Sequence, residues 1–324
     1  MRICLYGVGA VGGLIGARLA AAGHAPVAVA RAATLAALQR DGIALEAGGE
    51  RRHYPLRAVA DPAELGVQDL VVVAVKQPAL GAVARAIGPL LGPHTRVLTA
   101  MNGVPWWFCD GLPGSLAGAR LTSVDPDGEL RARIPSAQVI GGVVHIACST
   151  PAPGVSRHGF GNGLILGEPG GPPSAPTVAA AEVLRAAGFE VTLSDFIQRD
   201  VWFKLWGNMT MNPVSALTGA TADRILDDEL VEAFCVAVME EAAEVGARIG
   251  CPVAQTPRER NAVTRKLGAM KTSMLQDVEA GRALEIDALL GAVHEIAGRA
   301  GVAVPNVGAL LGLVRLFARG RGLY

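Results

Sequence analysis

The chain has 324 residues, enough for two domains with separate cores, and its 29 Lys+Arg balance 29 Asp+Glu. That balance offers neither the basic surplus of a nucleic-acid binder nor an acidic tail. Hydrophobic residues make up 51% and aromatic residues only 4%, and apolar runs such as residues 70–75 fall far short of the ~20 residues that span a bilayer.

Five scattered cysteines (Cys4, Cys109, Cys148, Cys235 and Cys251) show no CxxC spacing and read as buried thiols, not as a disulfide frame or a zinc site. No His/Asp/Glu spacing suggests a metal. Met1-Arg2 leads directly into an apolar run and leaves no room for a signal peptide, so a soluble cytoplasmic protein without membrane or nucleic-acid partners is expected.

The chain opens with Ile3-Cys4-Leu5-Tyr6, the loop Gly7-Val8-Gly9-Ala10-Val11-Gly12, and a helical pattern carried by Leu14, Ile15, Ala17, Leu19 and Ala20. A second apolar run, residues 26–30, follows Gly23-His24. Strand, glycine loop, helix and strand make the right-handed crossover unit that binds dinucleotides. Gly7 permits the tight turn, Gly9 lets the backbone approach a pyrophosphate, and Gly12 lets the helix pack close to the strand. The free N–H groups of the helix then face the phosphates. An ordinary tight turn in a parallel sheet is the competing reading. NAD-specific sites place an Asp or Glu at the end of the second strand, where this chain has Ala30-Arg31 and no carboxylate until Asp41. A guanidinium matches a 2′-phosphate in charge and geometry, which favours NADPH over NADH; a solvated arginine is the plainer alternative.

A helix over residues 34–40 ends near Asp41-Gly42, and residues 43–59, with Gly48-Gly49, suggest a small hairpin. Asp61-Pro62-Ala63-Glu64 resembles a short helix start. Residues 69–75 form the nearly continuous apolar run of a central parallel strand and end at Lys76, where a ligand lies beyond the strand's carboxyl end. A helix over 79–91 and a strand over 96–100 follow, the latter ending in Met101-Asn102-Gly103 at the same edge. Residues 104–135 are irregular. Strands over 139–147 and 163–167, a helix over 177–187 and a strand over 189–193 complete the first part.

Beyond Asp195 only long helical patterns remain, over residues 197–217, 227–249, 258–280, 285–300 and 305–319. The expected fold class is therefore α/β: a Rossmann domain over 1–194 followed by an all-α domain over 195–324. Ligand sites favour the junction of two such domains. The amphipathic second domain leaves room for a homodimer face.

In the second part Lys204, Asn208 and Asn212 are spaced four apart and form one polar stripe on a helix, among Trp202, Phe203, Leu205, Trp206 and Met209. A lysine and two amides in that company need partners or a ligand. A lysine near a desolvated pocket exchanges protons near neutral pH, while snorkelling of Lys204 to solvent is the alternative. Pro213 removes a helix hydrogen bond from this segment. Further on, Gly281 looks like a helix stop, and Glu285 falls in the first turn of the next helix, where the dipole stabilises a carboxylate. Ser273 can equally be a helix-start hydroxyl. His145 and His158, in a strand-rich stretch, read as structural.

Together, Gly7-Val8-Gly9-Ala10-Val11-Gly12, Asn102-Gly103, Lys204-x-x-x-Asn208-x-x-x-Asn212-Pro213 and Ser273-Met274-Leu275-Gln276-Asp277 with Gly281-Arg282 and Glu285-Ile286-Asp287 resemble the ketopantoate reductase family. The resemblance covers essentially the whole chain, in order. It implies NADPH-dependent reduction of 2-dehydropantoate, or of a similar 2-keto acid, to the hydroxy acid. It also implies Lys204 as general acid, and Glu285 as the residue that orients substrate or lysine. Asn102 would lie between nicotinamide and substrate; Asn208 and Asn212 would bind substrate and Ser273 would hold its carboxylate; Arg31 and Lys76 would contact the 2′-phosphate side and the cofactor.

The chain departs from the family pattern at Met101, where Gln is usual, at Leu284, where Thr is frequent, and at Ala222, where some members carry Asn. With Trp106-Trp107 these departures make the expected site more apolar and point to a bulkier or less hydroxylated keto acid. Two other readings fit: a related dehydrogenase or imine reductase for another keto or hydroxy acid, and a non-catalytic NADPH-binding sensor. Lys204 and Glu285 argue against the sensor, which needs neither.

Overall fold

The computed structural model describes residues 1–324. β1 (Ile3–Tyr6) enters the glycine loop and α1 (Ala10–Ala21) leaves it, followed by β2 (Val27–Val29), α2 (Ala32–Asp41), β3 (Ile43–Ala47), β4 (Glu50–Tyr54) and β5 (Arg57–Val59). Next come β6 (Leu70–Val73), α3 (Leu80–Ala86), β7 (Arg96–Ala100), α4 (Glu129–Arg133), β8 (Val139–Ala152), β9 (Val155–Gly167), α5 (Ala175–Ala186) and β10 (Glu190–Ser194). The remainder is helical: α6 (Ile197–Thr218), α7 (Ala222–Asp227), α8 (Glu229–Arg248), α9 (Pro257–Arg265), α10 (Ser273–Glu279), a π-helical turn (Asp287–Gly291), α11 (Ala292–Ala300) and α12 (Pro305–Gly320).

Two compact units result, Met1–Met101 with Gly128–Ile197, and Asn102–Asp127 with Gln198–Tyr324. A division of the chain at residues 194 and 195 does not reproduce them, because residues 102–127 pack with the helices. The cause is local. Val104, Trp106, Trp107 and Phe108 are buried, the Phe108 ring lies 5.9 Å from Trp202, and the Val104 N–H donates to Ala288 O at 2.8 Å. The Glu295 carboxylate also accepts from the Thr122 and Ser123 backbone N–H groups, at 2.9 and 2.8 Å.

The first unit is built on one mixed sheet in the order β4-β3-β9-β8-β7-β6-β1-β2-β5, with β10 also paired to β9. Within it β5-β2-β1-β6-β7-β8 run parallel, the doubly wound arrangement in which strand order reverses beside β1. β6 is Leu-Val-Val-Val, and all four side chains are buried because helices cover both faces of such a strand. Each such side chain contributes roughly 1.5–3 kcal/mol of burial. β3 and β4 form the expected hairpin.

β8 and β9 are longer than expected, an antiparallel pair of 14 and 13 residues. Only the first half of β8 is buried, and hydropathy marks that half alone.

In the helical unit, the pattern over 258–280 is two helices, not one. The chain turns at Gly268, and Thr272 starts α10 by accepting the Leu275 N–H at 3.2 Å. A separate short helix, α7, precedes α8, and α6 continues unbroken through Pro213. No helix is long and apolar enough to cross a membrane. None of the five cysteines is in a disulfide, and burial pushes the Cys4, Cys235 and Cys251 thiols up to about 12.

Candidate active site

In the first unit the carboxyl end of β1 runs into the glycine loop. Gly7 has φ +98°, and a Cβ there would stand 2.5 Å from Val75 Cγ1. A Cβ at Gly12 would overlap the Gly7 carbonyl oxygen and stand 3.0 Å from Ala74 Cβ. These two glycines let α1 start against the strand. Gly9 differs: a Cβ there would meet nothing within 4 Å.

The first intrahelical bond runs from Gly13 N–H to Gly9 O at 2.8 Å, so the N–H groups of Ala10, Val11 and Gly12 have no acceptor within the helix. No side chain caps α1, and its first turn holds no acidic residue. Open space in front of unused N–H groups at a positive helix end fits a pyrophosphate. Ser156, on the part of β9 that hydropathy does not mark, donates its hydroxyl to Ala10 O at 2.7 Å and so fixes the loop from behind.

Arg31 caps the start of α2 in extended conformation and is exposed. The next residue, Ala32, has φ +46°, a left-handed conformation that costs an alanine about 1 kcal/mol. Burial raises the Tyr6 hydroxyl, and the charge of Arg31 pulls the other way. Lys76 follows β6, half-buried, at the start of a short 3-10 turn. His158 Nε2 lies 2.8 Å from Gly161 O, inside the β8–β9 pair.

In the helical unit α6 is anchored by its indoles. Trp206 Nε1 donates to Met239 O at 2.7 Å and Trp202 Nε1 to Ala242 O at 3.2 Å, both on α8. With that face buried, Lys204 is half-buried on another line of the helix, and its Nζ donates to Asn102 Oδ1 at 2.6 Å. Asn102 is held in turn by its neighbours. Gly103, at φ +80°, lies so close to the π-helical turn that a Cβ would stand 2.6 Å from Ala288 O. Glu285 lies three residues before that Ala288, is 9% exposed, and accepts the Leu289 N–H with its backbone carbonyl at 3.2 Å. It precedes the helix instead of lying in its first turn.

The Leu284 N–H bonds Leu323 O at 2.9 Å, and Asp287 accepts from Arg315 and the Tyr324 hydroxyl at 2.7 and 2.9 Å. Glu285 is therefore clamped on both flanks.

Asn208 is half-buried one turn beyond Lys204, and Asn212 is buried two turns beyond it. Ser273 is the first residue of α10 and is exposed, because the capping hydroxyl belongs to Thr272. Trp106, Trp107, Leu284 and Ala222 are all buried to 1% exposure or less. They are packing residues, and the expectation of an apolar substrate loses the support of these four positions. Sequence reasoning missed Ser156 and Arg260; a signal for the latter was Gly207 inside the Lys204 stripe.

The family described as ketopantoate reductase PanE/ApbA matches residues 3–171, and its C-terminal counterpart matches residues 196–318. A 2-dehydropantoate 2-reductase of Mesorhizobium japonicum is 44% identical over 100% of both chains. A solved structure from Ralstonia solanacearum MolK2 is similar at TM-score 0.96 and 57% identity, covering 100% of this chain and 99% of that one. A PanE/ApbA family ketopantoate reductase from Ralstonia eutropha JMP134 matches at TM-score 0.83 and 28% identity, over 99% of this chain and 100% of the other. An N-terminal Rossmann-like domain with a mixed sheet, a helical C-terminal domain and these likenesses over the full length lead to one conclusion: the chain belongs to the ketopantoate reductase family and is a 2-dehydropantoate 2-reductase-like oxidoreductase.

Proposed function

We propose that the protein uses NADPH to reduce 2-dehydropantoate, or a closely similar 2-keto acid, to the 2-hydroxy acid, with Lys204 as general acid. The observation that carries this reading is the 2.6 Å bond from Lys204 Nζ to Asn102 Oδ1. It aims a charged donor at one fixed point among buried apolar residues. NADPH, when bound, supplies the hydride. The glycine loop receives its pyrophosphate through the N–H groups of the first turn of α1. Arg31, at the end of β2 where a carboxylate would select NADH, receives the 2′-phosphate, and Lys76 contacts the cofactor.

As the ketone carbon accepts hydride, negative charge grows on its oxygen, and a donor in a water-poor site stabilises it. Lys204 both stabilises that charge and delivers the proton, which an ionised Glu285 cannot do. Glu285 orients the lysine or the substrate. Asn102, Asn208, Asn212 and the exposed Ser273 hydroxyl bind the substrate through hydrogen bonds. In this reading the unit of residues 1–101 and 128–197 serves the cofactor, and the unit of residues 102–127 and 198–324, which includes Asn102, serves the substrate. The 44% identity to the Mesorhizobium 2-dehydropantoate 2-reductase supports a keto acid of that type.

The test is steady-state oxidation of NADPH with 2-dehydropantoate and a panel of 2-keto acids, with the product identified as the hydroxy acid. Turnover of 2-dehydropantoate or a near analogue is expected. Absence of turnover with every keto acid, while NADPH binds, would overturn the assignment.

A further inference from the structure

Arg260, on α9, belongs to none of the motifs described above. Its guanidinium lies along α6 in the slot left by Gly207. A Cβ at that glycine would stand 2.6 Å from Arg260 Nε, 2.9 Å from Nη2 and 3.2 Å from Cζ. The Phe203 ring, one turn earlier, lies under the guanidinium with Cζ 5.4 Å from its centroid. Gly207 directly precedes Asn208 and follows Lys204 by three residues, so the guanidinium occupies the helix line beside the Lys204-Asn208-Asn212 stripe.

Other arginines of this unit are paired: Arg282 with Asp277, Arg315 with Asp287 and Arg265 with Asp227. Arg260 Nε is buried and has no hydrogen-bond partner. Burial lowers the pKa of this guanidinium from its ordinary value, and no carboxylate opposes that effect. Holding a cation partly out of water without a counter-ion is unfavourable. A flexible arginine would ordinarily swing to solvent, but here the glycine slot and the ring keep it in place.

We propose that Arg260 supplies the positive charge for the carboxylate of the 2-keto acid, in addition to the Ser273 hydroxyl, while Lys204 serves the ketone oxygen. This inference rests on the reading of Lys204 as the acid. In a 2-keto acid the carboxylate carbon is bonded directly to the ketone carbon, so a donor for one must stand beside the donor for the other. Neighbouring lines of α6 supply that arrangement. A guanidinium matches a carboxylate in planarity and charge, a fit that a lysine or an amide does not reproduce.

The experiment compares wild type, Arg260→Gln, Arg260→Lys and Gly207→Ala, with the best 2-keto acid and its methyl ester as paired substrates. Arg260→Gln should raise KM for the acid about 10- to 100-fold, leave kcat within about threefold, and leave kcat/KM for the ester and the Kd of NADPH unchanged. Arg260→Lys should recover part of the loss, and Gly207→Ala, which displaces the guanidinium without removing it, should reproduce the acid-selective defect. Equal losses on acid and ester, or an unchanged KM for the acid, would make Arg260 a packing residue and overturn the inference alone. Failure of the wild type to reduce any 2-keto acid would overturn both this inference and the reading beneath it.

Discussion

Gly9 and Gly12 lie three residues apart in the same loop, yet replacing each by alanine should affect the stability of the cofactor-free protein differently. At Gly9 a Cβ meets nothing within 4 Å and the backbone is extended, at φ −88°. Alanine is a poorer helix cap than glycine, but it narrows the unfolded ensemble by about 0.4–1 kcal/mol. The protein without cofactor should therefore melt within about 3 °C of wild type. The added methyl would stand where the pyrophosphate approaches. Losing two charge-assisted bonds of ~1.5 kcal/mol each costs about 3 kcal/mol, or roughly 100-fold in the Kd of NADPH.

At Gly12 the Cβ collides with the Gly7 carbonyl, which is backbone and cannot rotate away. Overpacking of about 1–3 kcal/mol should lower the melting temperature by roughly 3–10 °C even without cofactor, and binding should suffer as well. Thermal melts of the apo variants and fluorescence titrations with NADPH separate the two effects. If Gly9→Ala binds NADPH within threefold of wild type, the loop is not the pyrophosphate cradle.

Arg31→Ala should weaken NADPH at least about tenfold while leaving NADH nearly unchanged, and an equal loss for both cofactors in paired titrations would refute the 2′-phosphate contact. Burial alone would raise the Glu295 carboxyl, but bonds from Ser123 and Thr122 and the Arg299 guanidinium outweigh it and hold the group below its usual range. Its contribution to stability is thus present above the ordinary carboxylate pKa and is lost as the pH falls through the depressed one. Glu295→Gln should flatten the loss of melting temperature below about pH 4.5, and an unchanged acid limb would remove Glu295 from the account. Trp206→Phe leaves Met239 O without its indole donor and opens a cavity beside α6; urea unfolding should show a loss of about 2–4 kcal/mol, and a loss under 0.5 would mean that α8 does not hold α6 in this way.

The parts of the fold that were legible in the sequence are those where local chemistry and burial agree. The glycine loop, β6 and α6 each carry a hydropathy period or a spacing that only one local structure satisfies. Other features depend on distant partners. Thr272 and Gly268 end a pattern that looks continuous over 258–280, because the apolar period survives the turn between two helices. The exposed half of β8 has no apolar alternation to reveal it. The placement of residues 102–127 with the helices follows from Val104 bonding to Ala288, a pairing of residues 184 positions apart that no periodicity announces. Lys204, Asn208 and Asn212 were visible as a stripe, whereas Arg260 became visible only when Gly207 was seen to make room for it.

The central claim is that Lys204 delivers the proton, and the Lys204→Ala variant tests it most directly in single-turnover reduction of the best 2-keto acid by saturating NADPH. The variant should bind NADPH with wild-type Kd and reduce the keto acid roughly 10²–10⁴-fold more slowly, the range expected for a lost general acid. A single-turnover rate within threefold of wild type, with NADPH bound normally, would contradict the account.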